Sequence, residues 1–105
     1  MQKQLTYMMD NTMPQKPNFK YKEDKHLEEV LKYVMSTYEG HYVGKGEIQT
    51  TDVWETLHIE KEACLSNILK YAMRYGKKGG YNKKDLLKII HYTLMLWYFT
   101  LEEHD

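Results

Sequence analysis

This chain of 105 residues has little cysteine, little proline, no net charge and no long apolar run. Its one cysteine, Cys64, excludes an intramolecular disulfide framework and a cysteine-rich zinc site. Because Cys64 opens an apolar stretch, we expect a buried thiol rather than a nucleophile. Equal numbers of acidic and basic residues, 15 of each, provide no overall attraction to nucleic acid. The composition thus excludes several classes of protein and favours none.

The chain also lacks the segments that mark membrane proteins and secreted precursors. Its most apolar stretch, residues 89–101, is too short and too polar at His91 and Tyr92 to span a bilayer. No N-terminal segment has the form of a signal peptide. We therefore expect a cytoplasmic protein that does not contact a membrane.

Helical periodicity is present from residue 24 onwards. Residues 1–23 contain both prolines and sustain no period, which predicts an irregular arm. Apolar offsets of three and four, together with capping residues, predict helices over residues 24–39, 51–58, 60–75 and 82–102. A chain of this size is one domain with one modest core. The expected fold is all-α: a small bundle of about four helices over residues 24–105, preceded by the arm.

Two capping residues and three apolar stripes refine this prediction. Asp52-x-x-Glu55 resembles a capping box with Asp52 as the cap, and Asn82 is predicted to cap the last helix. The predicted core stripes are Leu27, Val30, Leu31, Val34, Met35 and Tyr38; then Leu65, Ile68, Leu69, Ala72 and Tyr75; then Leu86, Ile90, Thr93, Trp97 and Leu101.

The last helix is apolar nearly all round, which is unusual for a chain this short. A helix of this kind is normally buried, and in a small protein its burial often requires another subunit. We therefore expect a homo-oligomer. The reverse side of this helix carries Lys84, Lys88, His91, Tyr92, Met95, Tyr98 and Phe99.

The third helix and the glycine-rich segment after it carry the strongest functional signal. At 100° per residue, Asn67, Lys70, Arg74 and Lys78 fall on one stripe, with Lys77 beside it. We predict that Arg74 forks onto a phosphate, that Lys70 and Lys78 supply point charges and that Asn67 reads a ribose or base edge. The alternative is a solvated helix face.

Further candidates lie close to this stripe. Tyr71 is predicted to stack on a base, whereas Tyr75 is predicted to pack in the core. His41 and Tyr42 lie in a glycine-rich segment, where His41 either meets phosphate as a donor or acid–base group, or bonds to backbone. The cation Lys88 continues the basic surface on the last helix. His91, near it, joins either the site or a subunit contact. No histidine spacing predicts a metal site.

Four segments together resemble a family of small bacteriophage proteins of unknown function that includes the nucleotide kinase of T7-like phages. The segments are His41-Tyr42, Asp52-Val53-Trp54, Asn67-Ile-Leu-Lys70-Tyr71-x-x-Arg74-x-Gly-Lys-Lys78 and Asp85-Leu-x-Lys88-x-x-x-Tyr92. The match covers about residues 41–98. It departs from the family at Ser66, where glycine is frequent, and at Thr51, where proline is common. The resemblance implies a phage origin, an infected bacterial cytoplasm and a nucleotide-like ligand, but no particular activity.

Three functions fit these patterns. The first is a non-enzymatic binder that sequesters a nucleotide, cyclic or linear, used as a second messenger in host antiviral immunity. The second is a nucleoside monophosphate kinase or related phosphotransferase, which would need Mg²⁺; the spacing of Glu47, Asp52, Glu60 and Glu62 marks no magnesium site. The third is a nucleic-acid binder, which zero net charge disfavours. We expect the first, with no cofactor.

Overall fold

The computed structural model describes residues 16–40 and 49–102. Four helices occupy most of them: α1 (Glu23–Gly40), α2 (Thr50–Leu57), α3 (Glu60–Arg74) and α4 (Lys83–Leu101). The predicted all-α fold with four helices is confirmed for these residues, with helix ends shifted by about one residue. Residues 16–22 precede α1 without forming a helix, and the rest of the predicted arm lies outside the described residues. Of the four helices described, none is long and apolar enough to cross a bilayer.

The caps of α2 and α4 are set by different side chains. The predicted cap at Asn82 is confirmed, because its Oδ1 accepts a hydrogen bond of 2.8 Å from the amide of Lys84. The predicted cap at Asp52 is wrong by three positions. Gln49 is the N-cap of α2, and Asp52 is the third helical residue, whose carboxylate accepts a 2.9 Å bond from the amide of Gln49. The capping box therefore exists, but with Asp52 at its other end.

The centre of the fold is a hairpin of α3 and α4, which pack along each other. Arg74, at the end of α3, lies beside Asp85 at the start of α4, while Tyr71 lies beside Tyr92 one turn or more further on. From the first pair to the second, the residue number falls along α3 and rises along α4. The two helices are therefore antiparallel. α1 packs on α4, and α2 packs on α3.

The buried core of the described residues is small. Val30, Cys64 and Tyr71 are its only buried apolar side chains there, and Asp85 is the only buried polar one. Each large apolar side chain contributes about 1.5–3 kcal/mol when fully buried. A core of this size stabilises a single chain weakly.

The structure reverses the predicted core stripe of α4 and confirms that of α3 only in part. On α3 the buried positions are Cys64 and Tyr71; of the predicted stripe, Ile68 and Tyr75 are half-buried, whereas Leu65, Leu69 and Ala72 are exposed. On α4 all of the predicted core stripe is exposed, and most of the predicted reverse side is half-buried against the other helices. Both sides of each helix are apolar enough to form a core, so periodicity alone could not select the inward one. In α1 likewise only Val30 is buried, while Leu27, Leu31, Met35 and Tyr38 are exposed.

One consequence is a set of exposed apolar side chains on the outside of the hairpin, which we name the outer face. Its residues are more than a third exposed, and none of them is charged. The outer face comprises Leu65, Leu69 and Met73 of α3 and Leu86, Ile90 and Trp97 of α4.

Candidate anion-binding site

Two lysines from different helices lie over one buried aromatic ring. The Nζ atom of Lys70, on α3, is 5.0 Å from the centroid of the Tyr71 ring. The Nζ atom of Lys88, on α4, is 5.1 Å from the same centroid. Each ammonium is attracted by the negative ring face. Because they share this anchor, the two charges are at most about 10 Å apart, a separation that a diphosphate can bridge.

The ring that holds the lysines belongs to an aromatic stack. Tyr71 lies parallel to Tyr92, with 6.3 Å between ring centroids and 10° between planes. Tyr92 also contacts Trp54 of α2 at 6.4 Å. Burial above all, and then the neighbouring Tyr71, raise the pKa of Tyr92. The stack forms a largely apolar floor beneath the cations.

This burial contradicts the predicted role of Tyr71 as a stacking platform for a base. Tyr71 is only 8% exposed, so its ring offers no open face to a ligand. Its position near the basic side of α3 agrees with the prediction, but its contacts indicate an anchor for Lys70 and Lys88 instead.

Arg74 is held by a buried carboxylate. Its Nε atom lies 3.6 Å from Oδ1 of Asp85, whose side chain is 3% exposed, while the Arg74 side chain remains 40% exposed. Neither Arg74 Nε nor Asp85 Oδ2 has a hydrogen-bond partner among the described residues. The guanidinium is therefore oriented by α4 rather than free in solvent, and its outer N–H groups remain available for a ligand. We name Lys70, Arg74 and Lys88 the cation cluster.

Asn67 and the two lysines of the connecting segment are placed differently from the prediction. The Nδ2 group of Asn67 donates a 2.9 Å hydrogen bond to the carbonyl of Ala63 in its own helix, and the residue is half-buried. Its amide oxygen is the atom left to meet a ligand. Because α3 ends at Arg74, Lys78 does not continue the helical stripe; Lys77 and Lys78 lie exposed in the connection to α4.

That connection is a closed turn. The amide of Gly76 donates to the carbonyl of Gly80 at 3.0 Å, and the amide of Gly80 donates to the carbonyl of Lys77 at 3.2 Å. The rings of Tyr75 and Tyr81 meet at 5.5 Å across its base. The turn therefore presents two cations at the same end of the hairpin as Arg74.

His91 links the hairpin to α1. Its ring meets the ring of Tyr33 edge-on at 5.9 Å, and it is half-buried. It follows Lys88 on α4 by three residues, so it lies on the same side as the cation cluster. His41 and Tyr42, the remaining predicted site residues, lie outside the described residues.

The family comparison covers this site. Residues 36–93, more than half of the chain, match the model of a family described as a protein of unknown function, DUF3310. The chain belongs to the DUF3310 family. No curated protein and no solved structure matches it. The DUF3310 match includes α2, α3 and all three residues of the cation cluster, but its description assigns no activity.

Two residues of this DUF3310 region are part of the site although they were not predicted to be. In the sequence, Asp85 and Tyr92 were singled out as part of the segment that carries the family resemblance, and Tyr92 also as part of the reverse side of the last helix, but neither was predicted to contribute to the site. The signal for Asp85 was available: it is the one acid among seven cations between Asn67 and Lys88. No group of three metal-ligating side chains occurs in residues 16–40 and 49–102.

Proposed function

We propose that this chain binds a phosphorylated nucleotide at the cation cluster. The observation that carries the proposal is that Lys70 and Lys88, from two helices, are held over the same buried ring. Solvated lysines normally point apart into water, whereas an aromatic anchor holds these two near each other before any ligand arrives. Pre-organised cations lose less conformational freedom on binding.

The charge balance of the cluster suits a phosphate group. Arg74 is partly neutralised by Asp85, whereas no described acid pairs with Lys70 or Lys88. The surplus is about two positive charges, which matches the charge of a phosphate monoester near pH 7. The aromatic floor excludes water from one side and so strengthens these attractions.

The biological role that we infer is capture of a nucleotide without its conversion. A phosphotransferase needs carboxylates that hold Mg²⁺ near the phosphates. The one buried carboxylate beside the cation cluster, Asp85, faces Arg74 instead. Together with the resemblance to small phage proteins, this arrangement favours a phage protein that sequesters a nucleotide second messenger of host immunity in the bacterial cytoplasm.

The test begins with the molecules that co-purify with the protein. Protein isolated from cells that make diverse nucleotides is denatured, and the released molecules are identified by mass spectrometry. In parallel, the protein is incubated with ATP, Mg²⁺ and nucleoside monophosphates. We expect an intact nucleotide to be released and no new di- or triphosphate to form. New phosphorylated products would instead make the protein a kinase.

Variants then test the site by calorimetric titration with the identified nucleotide. Lys70→Ala and Lys88→Ala are each expected to weaken binding by about tenfold, the loss of one charge-assisted contact. Lys61→Ala is the matched control, because Lys61 is an exposed lysine of α3 whose ammonium lies 4.0 Å from Glu62. Equal affinity in all three variants would exclude the cation cluster as the binding site.

A further inference from the structure

The α3–α4 hairpin has two sides, and within the described residues the other helices cover only one of them. α1 reaches the hairpin where the ring of Tyr33 meets His91. α2 reaches it where Trp54 meets Tyr92. The cation cluster lies on this covered side. The opposite side is the outer face, which α1 and α2 leave exposed.

Residues from the two helices of the hairpin form a single outer surface for a geometric reason. Antiparallel neighbours are related by a two-fold axis perpendicular to their common plane. The residue that comes directly after an inward-facing position therefore lies on the same side of this plane in both helices. Leu65 follows the buried Cys64, and Leu86 follows the buried Asp85. The two leucines thus lie on the same side of the hairpin.

The apolar area of the outer face is close to that of a standard interface. Exposed fractions run from 38% at Ile90 to 68% at Met73. Together the six residues expose on the order of 600 Å² of apolar surface, the upper end of the range for the largest apolar patch on a monomer. A protein–protein interface of standard size buries about 800 Å² per partner, and the apolar part of a homodimer interface is about 65%, or roughly 520 Å².

We propose that the outer face binds the outer face of a second copy of this chain, so that two α3–α4 hairpins form a four-helix bundle. The six apolar side chains of two adjacent helical ridges are uncharged, and such a surface can pack against its own copy in this arrangement. The core of the described part of one copy is small, with Val30, Cys64 and Tyr71 buried, so burial of the outer face would add a large share to the stability of the assembly. The proposed subunit contact therefore lies on the side of the hairpin opposite to His91, and the cation cluster stays free of it.

The experiment is analytical ultracentrifugation of the full chain, with a matched pair of substitutions. Leu69 on the outer face and Leu31 on α1 are both 61% exposed, so glutamate at either position meets the same environment in a monomer. We expect the wild type to sediment at twice the chain mass of 12.7 kDa or as a multiple of this dimer. Leu69→Glu should break the contact between hairpins, and Leu31→Glu should preserve it.

A second measurement covers the case in which Leu69→Glu cannot fold alone. Trp97 is 56% exposed in one copy, so its fluorescence in a Trp54→Phe background should shift to shorter wavelength as protein concentration rises. A wild-type monomer at all concentrations would overturn the proposal. An assembly that Leu69→Glu leaves intact would also overturn it, as would a Trp97 emission wavelength that does not change with protein concentration. A monomer that binds vesicles of phosphatidylcholine and phosphatidylglycerol through this face would overturn it too.

Discussion

At the scale of single residues, Arg74 and Asp85 are unequal partners in their ion pair. Asp85 is buried, whereas Arg74 is 40% exposed. If Arg74 is replaced by alanine, the carboxylate of Asp85 stays buried without a cation. We therefore expect the free energy of unfolding to fall by about 3 kcal/mol. Asp85→Asn leaves a guanidinium that water can reach, and we expect a smaller loss of about 1–2 kcal/mol. Urea denaturation at equal protein concentration measures both.

The chain offers a control for this comparison. Glu29 and Lys83 form an exposed ion pair at 2.7 Å between α1 and α4, and the hydrogen bond from Lys83 lowers the pKa of Glu29. Because both groups are solvated, Glu29→Gln should leave the free energy of unfolding almost unchanged. If Asp85→Asn were the more damaging of the two changes at the buried pair, the structure would be wrong about which partner is buried.

Cys64 allows a second test at this scale. Its side chain is fully buried, and burial first, then the charge of Glu60, raises the pKa of its thiol. At a given pH, a thiol with a raised pKa has a smaller fraction in the thiolate form, and the thiolate is the reactive form. At pH 8 we expect a disulfide reagent to label native protein at least about 100-fold more slowly than unfolded protein, since labelling must await opening of the fold.

The labelling rate should rise with pH as thiolate forms, and one thiol per chain should react in guanidinium. Cys64→Ser is the blank for this assay. Complete labelling of the native protein within minutes at pH 8 would show that Cys64 is accessible, and would contradict its burial on α3.

At the scale of elements, the turn between α3 and α4 depends on its glycines to different degrees. Gly76 and Gly80 both have positive φ, +82° and +68°. Alanine at either position costs about 1–2 kcal/mol from this conformation alone. A Cβ at Gly76 would also lie 3.0 Å from Cε1 of Tyr81, whereas a Cβ at Gly80 meets nothing within 4 Å. Gly76→Ala should therefore destabilise more, because the Tyr81 ring must shift to admit the Cβ and its contact with Tyr75 is weakened.

A double-mutant cycle isolates this difference. The contact between Tyr75 and Tyr81 is worth about 0.5–1.5 kcal/mol in total, which sets the upper limit of the difference. In a Tyr81→Ala background we expect Gly76→Ala and Gly80→Ala to have equal effects on the urea midpoint. A difference that persists without Tyr81 would show that strain at Gly76 has another origin.

The same elements show what a sequence can and cannot predict. Helix positions followed from periodicity and from caps such as Asn82, because these signals act within one helix. The inward faces of α3 and α4 did not, since each helix carries apolar residues on both sides. The choice between the sides depends on contacts such as Tyr71 with Tyr92, which join residues 21 positions apart.

The candidate site was predictable in the same partial sense. Helical spacing placed Lys70 and Arg74 on one side of α3, and the structure keeps them there. Spacing did not show that Arg74 would face Asp85, because that contact depends on how the glycine-rich turn folds back. It also did not show that Tyr71 would be covered, since its exposure depends on α4.

At the scale of the whole molecule, the net charge is zero and the positive charge of the proposed site is local, in the cation cluster. The salt dependence of the affinity should therefore show whether the ligand is a short nucleotide or a long single strand. In the proposed site a nucleotide meets only Lys70, Arg74 and Lys88, so its affinity should fall gently with salt. A single strand that used the same three cations would lose affinity with a slope of about −2 in log K against log salt, from about 0.7 per phosphate neutralised. We expect fluorescence anisotropy with labelled single-stranded DNA to give this shallow slope or no binding.

A slope near −5 would require several further cations along the chain, such as Lys77, Lys78 and Lys84, and would favour a nucleic-acid binder over a nucleotide binder. Lys70→Ala separates the two outcomes further. It should remove a large share of the binding free energy of a three-cation site, but only a small share of that of an extended site.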